Sequence, residues 1–472
     1  MPESHYLLAV DQGTTSVKAY AFLPSGEISF SAQCFISTYR PQPGFAEQNP
    51  QEIFAAVWKV IHDVLNGASG TCAGISFSCA MHGIMAVDEQ GTPLTNLLIW
   101  SDTRSKGEAA ELRHSREGRA IYSETGTPIH PMSPLCKIKW LHRHQADLPA
   151  GIRWASFKDF FLWRITGCFI LDHSLASASG LFNRNTFTWS SRALNWCNIR
   201  PDQLPQLVSV RHIVNVGENP AWIRAAGLPV VVGASDGCLA QMGGDAMAEG
   251  VFTVTLGTSI AVRVVNPAAV FPPDSKLFHY LLNERTMISG AASNNGTAVI
   301  DWWNENHSLR QSLEEFVEHA VSASAGCEGL IFRPYVFGER APFYDPELQP
   351  AFIGMNHHSL ANQQRAILEG ICFVVRHLVE TVEAERSKAS VLRVSGGAVR
   401  SAHWMQLLCN ILDRPIEVDH NPDASALGAA LLGWAALGEQ GRFMSSETTT
   451  YQPDGEFDYS AHYHRFIHHP ID

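Results

Sequence analysis

The sequence predicts an α/β protein of two domains, and three observations carry that prediction. At 472 residues the chain exceeds one ordinary hydrophobic core, and two domains of roughly 200–250 residues follow from surface-to-volume scaling. It opens with three short apolar runs separated by tight turns, then a helical pattern and a further strand. The strand–turn–strand layout around Gly13 then recurs in the second half around Gly257.

Residues 6–10 read as an apolar strand ending at Asp11. Gln12-Gly13-Thr14-Thr15-Ser16 is a turn, and residues 17–23 return as a second strand. Ser25-Gly26 turns the chain again into a third strand at 27–34, giving an antiparallel meander. Across 51–65, Ile53, Phe54, Val57, Trp58, Ile61, Val64 and Leu65 recur at helical spacing after an Asn49-Pro50 start signal. A strand follows at 74–78, then a polar turn with Met81 and His82, a strand at 84–87, and a return to the sheet at 96–100. Residues 105–225 alternate helical stretches and loops without a sharper reading. Residues 230–234 form a strand with Ser235-Asp236-Gly237 at its carboxyl end, and 237–247 can continue as a helix. The second ribbon is strand 251–256, turn Gly257-Thr258-Ser259 and strand 261–265. Helices are predicted at 363–383 and 402–412, around a strand at 391–394 that runs into Ser395-Gly396-Gly397. The paired ribbons put a boundary around Gly244 to Gly250, dividing the chain into residues 1–245 and 246–472.

With 45% hydrophobic and 17% charged residues the chain is globular rather than disordered. A net charge of −12 argues against nucleic acid and anionic membranes as partners. Residues 1–5 show neither the basic nor the apolar region of a secretory signal. The apolar stretch 429–436 is far below the roughly 20 residues of a membrane span. The cysteines are scattered, none as CxxC, and read as reduced and buried, so a cytoplasmic location is expected.

Several constellations could carry chemistry. In Asp11-Gln12-Gly13-Thr14-Thr15 a tight turn lets backbone amides face an anion, two hydroxyls add donors, and the aspartate can hold Mg²⁺. A plain surface turn uses the same residue types. Thr255-Leu256-Gly257-Thr258-Ser259 repeats the logic without the aspartate, and two such hairpins facing each other could clamp a triphosphate. Gly233-Ala234-Ser235-Asp236-Gly237 leaves one carboxylate at the end of an apolar strand, where a general base for a hydroxyl belongs; a helix N-cap is the other reading. Met81, His82, Trp100, Asp102 and Arg104 combine an aromatic wall with polar groups, which suits a polyol; a core tryptophan and surface charges are the alternative. Ser395-Gly396-Gly397 admits a flat ligand such as adenine, or is only a turn. No Gly-Lys dipeptide occurs, which excludes a Walker A loop, and GxGxxG and HExxH are absent. His462, His464, His468 and His469 lack cysteines or carboxylates at zinc spacing and read as ordinary surface.

In this order the motifs resemble the FGGY family of carbohydrate kinases, within the actin-like ATPase (ribonuclease H-like) superfamily. The series Asp-x-Gly-Thr-Thr, Met-His, Trp-x-Asp-x-Arg, Gly-x-x-Asp, Gly-Thr-Ser, Gly-Glu-Arg-x-Pro and Ser-Gly-Gly spans about Tyr6 to Ala436. The resemblance implies two similar domains, each a mixed sheet flanked by helices, with an ATP·Mg²⁺ site in the cleft between them. It implies Asp236 as catalytic base and, with Asp11, as metal ligand. ATP would contact Gly13, Thr14, Thr15, Gly257, Thr258, Ser259, Gly396, Gly397 and Ala398. The acceptor would contact Met81, His82, Trp100, Asp102 and Asp236. Glu339-Arg340-Ala341-Pro342 matches a family element without an assigned role. Gly126-Thr127-Pro128-Ile129-His130-Pro131-Met132-Ser133-Pro134 looks most like gluconate kinases, whereas Ala80-Met81-His82-Gly83 fits gluconate and xylulose kinases alike. The implied activity is ATP-dependent phosphorylation of a sugar acid, D-gluconate to 6-phosphogluconate. A xylulose, polyol or ketose kinase is the alternative, and a non-catalytic nucleotide-dependent sugar sensor the remote one. A gluconate carboxylate calls for a cation at its C1 end, with Lys137 and Arg340 as candidates. Where many relatives have three glycines this chain reads Gly396-Gly397-Ala398, and the extra methyl is expected to shift the adenine slightly. The implied partner is a small-molecule sugar or sugar acid; the resemblance also admits a homodimer.

Overall fold

The computed structural model describes residues 5–468, apart from 146, 150, 268–269, 355–357, 421–422, 440 and 442–447. The opening meander is present as β1 (His5–Gln12), β2 (Ser16–Phe22) and β3 (Ile28–Phe35), paired antiparallel in that order. In α1 (Pro50–Gly67) the Asn49 side chain accepts the Gln51 N–H, and proline occupies the first turn, where its missing N–H costs nothing. Its buried face, with Ile53, Val57, Val60 and Ile61, lies against β2 and β3. Because a helix makes the crossover, β4 (Thr71–Cys79) returns parallel to β1. After α2 (Arg116–Thr125), α3 (Phe157–Thr166) and α4 (His173–Ser177), β5 (Ile213–Asn215) and β6 (Pro229–Ser235) complete a sheet of order β5-β6-β4-β1-β2-β3. The chain then passes through α5 (Asp236–Gly243) into the second half.

There β7 (Val251–Leu256), β8 (Ile260–Asn266), β9 (Phe278–Asn283), β10 (Thr286–Ser293), β11 (Val391–Ser395), β12 (Ile416–Asp419) and β13 (Thr448–Tyr451) form a sheet of order β9-β10-β8-β7-β11-β12-β13. In both sheets a leading strand (β1 or β7) has two antiparallel neighbours on one side. On the other side are two parallel strands and an antiparallel edge strand. The short echo at the Gly-Thr turns thus extends over a whole sheet, with β9 as the addition. Among the helices of this half are α6 (Leu360–Glu385), α7 (Ala402–Leu412), α8 (Ala424–Ala436) and α9 (Ser460–His468). The α8 helix packs on β1 and β4 of the first sheet and crosses α5. Backbones meet at that crossing: a Cβ on Gly243 would fall 1.8 Å from the Ala424 carbonyl oxygen, and one on Gly428 2.1 Å from that of Leu239. Leu7, Ala9, Leu239, Ala261 and Leu427 form a shared core between the halves.

Three expectations are corrected. Residues 96–100 do not rejoin the main sheet; Leu97–Leu98 pairs with Glu47–Gln48 in a separate two-stranded ribbon. The helix after β6 ends at Gly243 rather than at 247, where α8 abuts it. The histidine tail is not plain surface: α9 buries Tyr463 and Phe466, three apart on one face, while His464 and His468 point outward. His469 lies outside the described residues. Among the described residues no helix is long and apolar enough to cross a membrane.

Candidate active site

Each Gly-Thr turn is closed by its glycine N–H, Gly13 donating to Ser16 O and Gly257 to Ser259 O, each at 3.1 Å. Thr15 and Thr258 are exposed at the tips. Thr14 is tied inward, its hydroxyl accepting the Trp100 indole N–H at 2.9 Å. Trp100 and Ser259 line one cavity of about 110 Å³, so the second turn and the tryptophan bonded to Thr14 of the first face a common space. Beside the second turn, Gly396 takes φ +105° and lies against β7, where a Cβ would sit 2.5 Å from Leu256 O.

Three parallel strands deliver the carboxylates. Asp11 ends β1 opposite Ser78 of β4. Its oxygens accept the hydroxyls of Ser78 (2.6 Å) and, from α8, Ser425 (2.9 Å). On the far side of β4, β6 ends at Ser235 and Asp236 opens α5. The capping position belongs to Ser235, and the Asp236 carboxylate turns back onto the Gly237 N–H (2.7 Å) while lining the cavity. Ser235 belongs to a Gly-x-Ser-x-Gly run, yet it is fully buried with its hydroxyl on Ser174, which removes it as a nucleophile. Burial, and then the charge of Asp11, push the Asp236 carboxyl up to about 6, against the opposing pull of Arg263.

The strand behind Asp236 is pinned by a buried ion pair. Lys158 of α3 donates to Asp172 (2.6 Å) and to the Ala234 carbonyl (3.1 Å). Asp172 in turn caps α4 through the Leu175 N–H, and Ser174 of α4 accepts the Ser235 N–H.

Of the expected acceptor residues, the cavity gathers Met81, His82, Trp100 and Asp236. The Nδ1–H of His82 donates to Ala178 O (2.8 Å), leaving Nε2 as an acceptor, and burial holds its pKa near about 3, so the ring is neutral. Sequence reasoning missed Arg263, Tyr280 and Tyr344, which also line this space. Arg263 had a visible signal: it is the lone cation in the apolar strand directly after Gly-Thr-Ser. The guanidinium of Arg263 donates to Thr255 Oγ1 (3.0 Å) and that of Arg340 to Ser293 O (2.9 Å). The Nε of each is buried without a hydrogen-bond partner among the described residues. Arg340 also lies over the Trp100 ring, 5.5 Å from its centroid. Glu339 now has a place: its carboxylate accepts the Arg340 N–H and the Ser293 hydroxyl, each at 2.7 Å, and so fixes the loop that presents Arg340.

Three expected residues are elsewhere. Asp102 is fully buried, taking the Ala46 N–H (2.7 Å) and the Arg104 guanidinium, whose other end meets Glu47. Lys137 is sealed off and spends its ammonium on the carbonyls of His82, Leu98 and Ile99. Ala398 packs its methyl into the core of the second half.

Comparison with known proteins agrees with this architecture over the full length. The family model for the N-terminal domain of FGGY carbohydrate kinases matches residues 6–243, and that for the C-terminal domain residues 252–437. A gluconokinase of Bacillus licheniformis is 32% identical over 452 residues, covering 92% of this chain and 88% of its own. A xylulose kinase of Staphylococcus epidermidis is 27% identical over 441 residues with the same coverage. The crystal structure of a gluconate kinase from Lactobacillus acidophilus superposes with a TM-score of 0.90 at 27% identity, covering 98% of this chain and 96% of that one. The duplicated sheets, the paired Gly-Thr turns and these matches make the chain a member of the FGGY family of carbohydrate kinases, ATP-dependent phosphotransferases.

Proposed function

We propose that this kinase phosphorylates a sugar acid, with D-gluconate as acceptor and 6-phosphogluconate as product. The observation that carries the reading is the pair of arginines, Arg263 and Arg340, each with an unanswered buried Nε–H, in the cavity that also holds Asp236. An uncharged ketose offers those donors only neutral hydroxyl and carbonyl oxygens, whose hydrogen bonds are weaker. A carboxylate offers charge-assisted bonds worth about 1.5–3 kcal/mol. The gluconokinase relative supports the same choice.

In this reading Asp236 accepts the proton of the attacking hydroxyl. A carboxyl near 6 is ionised at neutral pH yet more basic than an ordinary aspartate. Thr15, Thr258 and the amides of the two turns hold phosphate oxygens, and Gly396-Gly397 lies on the adenine side. Trp100 and neutral His82 orient the acceptor, and closure of the cleft excludes water. The chain fits Mg²⁺: Asp11 and Asp236 supply two carboxylates. Water and phosphate oxygens would complete the shell of the ion, as Mg²⁺ prefers. When bound, Mg²⁺ would neutralise charge on the transferred phosphoryl group. A cytoplasmic location fits such small, diffusible substrates.

The test is a coupled ADP-release assay on D-gluconate, D-xylulose, L-ribulose and glycerol. The highest kcat/KM is expected for gluconate. A clear preference for an uncharged ketose overturns the acceptor assignment and leaves the kinase activity standing.

A further inference from the structure

We infer that a second cavity, behind the wall that closes the acceptor site, binds a phosphorylated polyhydroxy compound and through that wall alters acceptor affinity. This cavity, of about 300 Å³, lies between Arg113–Thr125 of the first half and two segments of the second, residues 273–276 and 342–344. Arg113, His114, Arg119 and Lys276 line it, against the single carboxylate of Asp274. Arg113, Arg119 and Lys276 thus give three cations against one lining carboxylate, an excess that suits an anion. The Nη2 of Arg113 is buried without a partner among the described residues, although its Nε is fixed on Ile129 O at 3.0 Å. Among the described residues Arg119 and Lys276 make no ion pair. Guanidinium and ammonium groups suit a phosphate monoester. Asp274 can accept hydroxyls, and Tyr122 with Pro128 offers flat surface for C–H faces.

The wall between the cavities has two parts, one held by the Arg113 guanidinium and the other by the backbone carbonyl of Lys276. Tyr344 lines both spaces, and its hydroxyl donates to Lys276 O at 2.8 Å. The run Gly126-Thr127-Pro128-Ile129-His130-Pro131-Met132 contributes Pro128 and Ile129 outside and Met132 inside, and Arg113 grips Ile129. Between the two parts, buried His130 faces the Tyr344 ring at 6.2 Å and accepts the Met132 N–H. An anion that draws Arg113 and the backbone segment of Lys276 together bears on the ring and the methionine that shape the inner cavity. A ligand there affects acceptor binding only as far as it favours one arrangement of this wall.

The coupling arm rests on the acceptor assignment above; the binding arm does not. Calorimetry on the full-length enzyme uses three probes: 6-phosphogluconate, D-glucose 6-phosphate and inorganic phosphate. The acceptor KM is measured with and without each probe, using whichever acceptor the panel selects. A sugar phosphate is expected to bind and to shift acceptor KM by about threefold or more. The exposed double variant Arg119→Ser with Lys276→Ser should weaken that binding about tenfold and leave kcat and KM without probe unchanged. Arg113→Lys, which keeps the charge and loses the fork, should weaken it as well. Tighter binding of 6-phosphogluconate than of the other two identifies the enzyme's own product as the ligand, and equal binding identifies phosphate monoesters in general. A double variant that responds like the wild type, or no binding by any probe up to about 10 mM, overturns the proposal.

Discussion

At the scale of single residues the site is an exercise in which charges are answered and which are left open. Asp236 faces the cavity with one backbone partner, so its removal should cost chemistry rather than folding. Asp236→Ala is expected to lower kcat by at least about 100-fold, the scale of a positioned acid–base group, with nucleotide binding and melting retained; a near wild-type rate would refute the role. Arg340→Met should raise the gluconate KM by about 10–100-fold, the equivalent of one charge-assisted bond, and spare an uncharged acceptor. Equal damage to both acceptors would make Arg340 structural. The motifs made Asp236, His82 and Trp100 legible because each follows a strand or ribbon that ends at the cleft. Asp102 was misread because the carboxylate of an Asp-x-Arg sequence can close on its own neighbour: Arg104 gives it both a backbone and a guanidinium N–H. Lys137 was misread because a lone lysine on a helix says nothing of the three carbonyls that surround it.

Elements were legible where they carry their own period. The meander, α1, α6, α7 and the two ribbons stand within a few residues of the sequence reading. Residues 105–225 were not, because their elements are short and held from outside. The α4 helix has five residues and owes its start to Asp172. Leu97–Leu98 is held extended by Glu47–Gln48 on one side and Ile84 on the other. This region supplies the brace behind the catalytic strand, and the brace can be tested. Lys158→Met strands Asp172 as a buried unpaired charge and should destabilise the protein by about 3–5 kcal/mol. Adding Asp172→Asn should recover much of that loss in denaturant unfolding. Because Lys158 fixes Ala234 and, through Ser174, Ser235, the acceptor kcat of the double variant should stay depressed while the ATP KM holds. Full recovery of kcat would show that the pair serves stability alone.

For the molecule as a whole, pH acts on the stability of the fold, and a covering helix on how the two halves hold together. Burial raises the Asp159 carboxyl to about 7; Ser156 is its hydroxyl donor and Oδ2 has no partner among the described residues. Its folded pKa lies above the unfolded value, so the folded state binds more protons across that window. Stability is therefore greatest below the unfolded pKa and declines as pH rises through about 7. Thermal unfolding should show Asp159→Asn gaining on the wild type between about pH 5 and pH 8; a gap that narrows with rising pH would reverse the sign. The α8 helix has a different kind of reach. It belongs to the second half in sequence, yet it shields Leu7 and Ala9 of the first sheet and steadies Asp11 through Ser425. A chimera that takes everything beyond Gly244 from a relative would import a foreign roof for the native first sheet. Its yield should follow how well the imported helix accommodates Gly243 and Leu239, whatever the design of the junction.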